Sequence, residues 1–132
     1  MRRSLIFATL AASTALAHAQ TEPTGGVVPA ARGAPAFEPK LTRLLEVMGS
    51  VQFLRQLCAP GEEDVWRERA VELIDAEGDT DTRRERLTAS FNRGYRAFST
   101  YTTCTEAAVF AIDGYMREGE TLTREILVRY GE

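Results

Sequence analysis

From residue 41 onward the apolar positions of the chain recur at helical spacing. Leu41, Leu44, Leu45, Met48, Val51, Leu54 and Cys58 recur at i, i+3, i+4 spacing and so line one helical face. Ala59-Pro60-Gly61 stops that helix. Glu62, Glu63 and Asp64 predict the start of the next, because carboxylates are favoured at the positive end of a helix dipole. Its apolar set is Trp66, Ala70, Leu73 and Ile74, and Gly78 supplies a C-terminal break. Thr82 and Glu85 have the spacing of a capping box for a third helix, whose inner stripe reads Leu87, Phe91, Gly94, Tyr95 and Phe98. Thr103 and Glu106 repeat the box and place Cys104 at the start of a fourth helix. The stripe of that helix runs Ala108, Ile112, Tyr115, Met116, Gly119, Leu122, Ile126, Leu127 and Tyr130. Unbroken, it would be roughly 37 Å long at 1.5 Å per residue, and Gly114 and Gly119 are the positions where it would bend or divide. No segment alternates with a two-residue period. The pattern predicts an all-α domain over residues 40–132, a small four-helix bundle.

The chain ahead of residue 40 has a different character. Residues 20–39 contain Pro23, Pro29, Pro35 and Pro39 with three glycines and few large apolar side chains. Such a stretch buries too little surface to offset its ordering entropy, which predicts a disordered linker. Residues 1–19 read as a secretory signal peptide: basic Arg2 and Arg3, an uncharged apolar run from Leu5 to Leu16, and the small-x-small site Ala17-His18-Ala19. A membrane-spanning helix needs roughly 20 apolar residues, which this run does not reach. The expected product is a soluble periplasmic chain beginning at Gln20, with no transmembrane segment.

Export changes the chemistry that is available. His18 is the one histidine of the sequence, so the mature chain has none. Ser-His-Asp and Cys-His sites cannot be assembled, and the commonest transition-metal ligand is missing; we expect no catalytic triad, no metal and no cofactor. The whole chain carries a formal charge of −3, and loss of Arg2 and Arg3 makes it more negative. Nucleic acid, which calls for a basic footprint, is not an expected partner. Cys58 and Cys104 are the two cysteines, an even number in an exported chain, and a structural disulfide between them is expected. Closing that loop stabilises the fold by about 4 kcal/mol in the chain-entropy model.

The stretch SFNRGYRAFSTYTTCT, residues 90–105, is the densest in candidate chemistry. Phe91, Tyr95 and Phe98 belong to the inner stripe, and Gly94 there lets a neighbouring helix approach closely. Asn92, Arg93 and Arg96 fall on another face and, with Tyr101, form a weak candidate site for an anion or a carboxylate-bearing ligand. A solvated face with loose ion pairs is the simpler reading of the same arginines. Asp75, Glu77, Asp79 and Asp81 alternate like the early ligands of a calcium loop, but Thr80 stands where the turn glycine is needed and Arg86 where the bidentate glutamate is needed. Trp66, beside Arg67 and Arg69, reads as a core anchor on an apolar stripe.

Leu57-Cys58, Trp66-Arg67, the block FNRGYRAF from Phe91 and TCT at 103–105 together resemble an uncharacterised family of small exported alphaproteobacterial proteins, a domain of unknown function. The resemblance spans about Leu41 to Tyr130 plus the signal peptide. It implies a periplasmic location and a recurring cysteine pair, and it brings no activity or ligand with it.

The function that fits is a non-enzymatic periplasmic helical module that binds another envelope component. The alternative is an enzyme or accessory factor acting on a cell-wall or small-molecule substrate through arginines and carboxylates. A closed pocket holding a buried carboxylate would favour the enzyme, and an open surface would favour the binding module. Protein recovered from the envelope is expected to begin at Gln20. Intact mass spectrometry checks this, and retention of residues 1–19 would contradict export.

Overall fold

The computed structural model describes residues 34–62 and 64–131. The signal-peptide expectation and all but the last residues of the linker expectation lie outside that range. Four helices follow in order: α1 (Glu38–Cys58), α2 (Val65–Glu77), α3 (Asp81–Arg96) and α4 (Glu106–Tyr130). Among the described residues there is no strand. The domain is all-α, with four helices as the periodicity predicts.

Each helix boundary has a local cause. α1 starts three residues earlier than its stripe, because Pro39 in the first turn lacks only an N–H that would have no partner there anyway. α2 begins at Val65 rather than at the acidic triplet, and the Asp64 side chain makes no cap. Gln52 of α1 takes that role: its Oε1 accepts from the backbone N–H of Arg67 at 2.8 Å. Thr80, not Thr82, caps α3 by accepting from Arg83 N at 3.2 Å. Thr105, not Thr103, caps α4 by accepting from Ala108 N at 3.1 Å. In both cases a second threonine stands two residues along the chain, and extended backbone at the capping residue decides between them. Cys104 therefore sits in the connection just before α4. Gly114 and Gly119 do not interrupt α4, which runs 25 residues without a break.

α1 is the hub. The spacing predicts one buried face, yet α1 hides residues around its whole girth, including Val47, Gly49, Ser50, Gln52 and Glu38. The reason is that α2, α3 and α4 all pack on it, while α4 packs on neither α2 nor α3. One core cluster joins Leu41, Leu45 and Met48 of α1 to Ala70, Ile74, Leu87 and Phe91. A second joins Leu54 to Ala108 and Ile112 of α4.

α1 and α3 come into backbone contact. A Cβ at Gly94 would lie 1.8 Å from the Glu46 carbonyl oxygen, and one at Gly49 would lie 2.0 Å from that of Phe91. Ser50 Oγ spans the same junction, donating to Glu46 O at 3.1 Å or Gly94 O at 3.2 Å. At one end of the bundle Arg83 of α3 clamps the buried Glu38 of α1 at 2.8 Å and also donates to the backbone carbonyl of Glu77 at the end of α2. At the other end Cys58 and Cys104 form a disulfide across 46 residues, with Cα atoms 5.0 Å apart. α4 is further tied to α1 by Arg43–Glu118 at 2.6 Å and by Lys40–Glu125.

Gly94→Ala forces two backbones apart and is expected to cost about 3 kcal/mol or more. Gly114→Ala, where an added Cβ meets nothing within 4 Å, is expected to stabilise by about 0.5–1 kcal/mol. Urea denaturation of the two variants checks the opposite signs.

Candidate functional site

Because α2 and α4 flank α1 without touching, a trough lies between them with α1 as its floor. Leu44, Val47, Met48 and Val51 form the floor, Trp66 and Leu73 the α2 wall, and Tyr115, Met116, Gly119 and Thr123 the α4 wall. This part holds about 520 Å³. Through the shared Leu44, Leu73 and Thr123 it continues into a second section of about 240 Å³, bounded by Phe37, Leu41, Ile126, Leu127 and Tyr130. From Val51 to Phe37 the floor is roughly 20 Å long at the helical rise. Its surface is almost wholly apolar.

The α4 wall has a regular sequence basis. Ile112, Met116, Gly119, Thr123, Ile126 and Tyr130 alternate by four and three residues, the spacing that lets a helix present a seam to neighbouring helices. Ile112 turns in against α1, whereas Val109, Met116 and Tyr130 are left 48%, 37% and 37% exposed, and the neighbouring Leu127 63%. The sequence stripe places Met116, Leu127 and Tyr130 in the core; the structure puts them at the trough. A single partner, α1, covers a narrower band of α4 than the stripe provides. Val109, apolar and one turn before the stripe widens, is the sequence signal for this surplus.

Charges at the lips are already engaged. Arg69 pairs with Glu72 at 3.0 Å on the α2 lip, and Arg124 with Glu120 at 2.5 Å on the α4 lip. At the far end Glu77 is held by Arg83 at 3.4 Å. Behind the α4 wall, the hydrogen bond from Lys40 holds the Glu125 carboxyl below its ordinary range. A carboxyl lowered in this way contributes its tie at neutral pH and loses it as acid protonates it. The hydrogen bond to Glu118 raises Arg43, and that to Glu38 raises Arg83, so both cations stay charged throughout the physiological range.

The residues named from the sequence lie elsewhere. Asn92 borders a small furrow between α2 and α3 with Arg67, Ala70, Ile74, Arg84 and Thr88. Arg93 turns to the other edge of α3, where it approaches Glu46 at 3.8 Å and remains 65% exposed. Arg96 is exposed at the end of α3, and Tyr101 stacks edge-on against Phe98 at 5.4 Å. Asn92 and Arg93 thus point to opposite sides of their helix, and none of the four lines the trough. Trp66 is half-buried in the trough wall, while Arg67 turns away to lie over the rings of Phe91 and Tyr95, 5.7 and 5.3 Å from their centroids. Among the described residues no cluster of His, Cys, Asp or Glu is arranged to hold a metal ion, and no helix is long and apolar enough to cross a membrane.

With this architecture in place, the comparison with protein families is decisive. Residues 36–130, which contain all four helices and both cysteines, match the family model described as protein of unknown function (DUF2385). The chain belongs to the DUF2385 family. No curated protein and no solved structure matches it. The matched DUF2385 region starts two residues before α1 and ends with α4, so the trough lies entirely within it.

Proposed function

We propose that the chain is a non-enzymatic binding module of the periplasm, and that its trough receives an amphipathic helix from another envelope component. The observation that carries this reading is the pair of helices α2 and α4 standing apart over α1, with apolar side chains left exposed on their facing edges. A helix laid in such a groove packs an i, i+3, i+4 apolar stripe against the floor. Its width would also cover the lip residues Met116 and Leu127, which a thin acyl chain lying on the floor would leave in water. The lips carry paired charges of both signs, so they match the mixed flanks of an amphipathic helix. A polar headgroup would instead call for a mouth of one sign. Two methionines, Met48 and Met116, let the surface adapt to the shape of its occupant.

The periplasmic location is supported by the disulfide, which persists in an oxidising compartment, and by the signal-peptide pattern. The binding reading is favoured over the enzymatic one by where the carboxylates are. Glu38, the buried one, is clamped by Arg83, and Glu77 and Glu120 at the trough are engaged by arginines rather than poised over open space.

Trp66, the one tryptophan of the chain, reports on the trough. The probe is a designed amphipathic peptide of about 15 residues, long enough to span roughly 20 Å as a helix, with leucines at alternating three- and four-residue spacing. Titrated into the oxidised mature protein, it is expected to shift Trp66 fluorescence to shorter wavelength and saturate at one peptide per chain. A scrambled peptide of the same composition is expected to leave the spectrum unchanged, and Met116→Glu to weaken binding at least tenfold while the protein stays folded. Saturation by palmitate but not by the ordered peptide, or response to neither, would contradict the proposal.

A further inference from the structure

The outer face of α4 carries a second pattern, which shares only the lip residues Glu120 and Leu127 with the trough. Val128 and Phe110, at 80% and 75% exposed, are the most exposed large apolar residues among those described, and Leu127 follows at 63%. They lie near the two ends of α4. Between them the exposed charges on the same face run Asp113, Arg117, Glu120 and Arg124, spaced by four, three and four residues. Asp113 and Arg117 have no ion-pair partner among the described residues, and Glu120 and Arg124 pair only with each other.

This order of charges is self-complementary in one orientation. If a second α4 lies antiparallel, with a two-fold axis passing between residues 118 and 119, Asp113 faces Arg124 of the second copy and Arg117 faces its Glu120. The axis repeats both contacts. Phe110 then meets Leu127, and Val109 meets Val128, so the apolar ends cover each other. A parallel pairing in register would set every charge against its like. A two-fold interface requires this reciprocity, in which residue i meets j and j meets i. The face from Phe110 to Val128 is roughly 27 Å long, and the opposed helix dipoles add to the preference for the antiparallel arrangement.

We infer that the outer face of α4 is a homodimer interface whose occupant is α4 of a second copy in antiparallel register. The inference rests on a different face from the α1 floor and the α2 wall, and the two surfaces share only the lip residues Glu120 and Leu127. Dimerisation places the second α4 beside the Glu120–Leu127 lip and so deepens the wall of each trough.

The test uses three forms of the mature oxidised chain: wild type, Arg117→Glu/Arg124→Glu and Asp113→Arg/Glu120→Arg. All four positions are exposed, and circular dichroism confirms that the helices are retained. By sedimentation equilibrium at up to about 100 μM, the wild type is expected to have the mass of a dimer, as a Kd of about 10 μM or tighter requires. Each charge-reversed form sets like charges together and is expected to be monomeric, its Kd weaker by at least about 100-fold. An equimolar mixture of the two reversed forms restores all four opposite pairs and is expected to return to dimer mass. A monomeric wild type, a dimer that survives both reversals, or reversed forms that stay monomeric on mixing would each overturn the inference. A dimer with an unresponsive Trp66 would sink the trough reading alone.

Discussion

The close approach of α1 and α3, at Gly49 against the Phe91 backbone and at Gly94 against the Glu46 backbone, governs the arrangement of the rest. Backbone atoms meet there at distances no side chain allows, so α1 and α3 behave as one unit. Ser50, bridging the two backbones, keeps the carbonyls at the junction partnered. With one flank of α1 taken so closely by α3, α2 and α4 must share what remains of its girth. They settle on separate sides, and the space between them is the trough. The trough is thus a consequence of how tightly a different pair of helices packs.

Packed on by three helices, α1 must partner its buried polar groups, and it does so in three ways, while Gln52 Nε2 and Arg55 Nε have no hydrogen-bond partner among the described residues. Glu38 is neutralised by Arg83, whose Nε and Nη2 both donate to its Oε2 and which simultaneously gathers the end of α2. Gln52 spends its carbonyl oxygen on the open N-terminus of α2. Ser50 returns its hydroxyl to backbone carbonyls. Removing one partner from a buried ion pair is far more costly than never burying it, so Arg83 and Glu38 are bound to each other's presence. The polar interior therefore fixes the relative placement of three helix ends, while the disulfide fixes the fourth helix at the opposite end.

Much of this was legible in the sequence. The three- and four-residue spacing within Leu41 to Leu54, Trp66 to Ile74, Leu87 to Phe98 and Ala108 to Tyr130 gives four helices, and the even cysteine count gives the bridge. Gly94 was readable as a point of close approach because it interrupts an otherwise bulky stripe. Its counterpart Gly49 was not, since a glycine beside a serine in mid-helix resembles a solvated position until α3 is placed upon it. Glu38 falls within the predicted linker, and the apolar stripe of α1 says nothing of the buried Gln52. The trough was hidden by the stripe of α4, where an apolar residue facing α1 and one facing empty space have the same spacing. The spacing of Asn92, Arg93 and Arg96 groups them on one face, whereas the packed helices set Asn92 in the furrow beside α2 and Arg93 beside Glu46 of α1.

Native-state hydrogen exchange on dilute protein tests most directly whether α1 and α3 form the frame that carries the rest. Beyond Ala108 and Ile112, α4 buries nothing completely, so its outer turns have little to hold them closed. The amides of residues 45–54 and 87–94 should therefore exchange last and together, only through global unfolding. Those of residues 116–130 should exchange through smaller openings, well before them. Protection of α4 equal to that of α1, with α3 exchanging first, would contradict the central place of the close α1–α3 approach at Gly49 and Gly94.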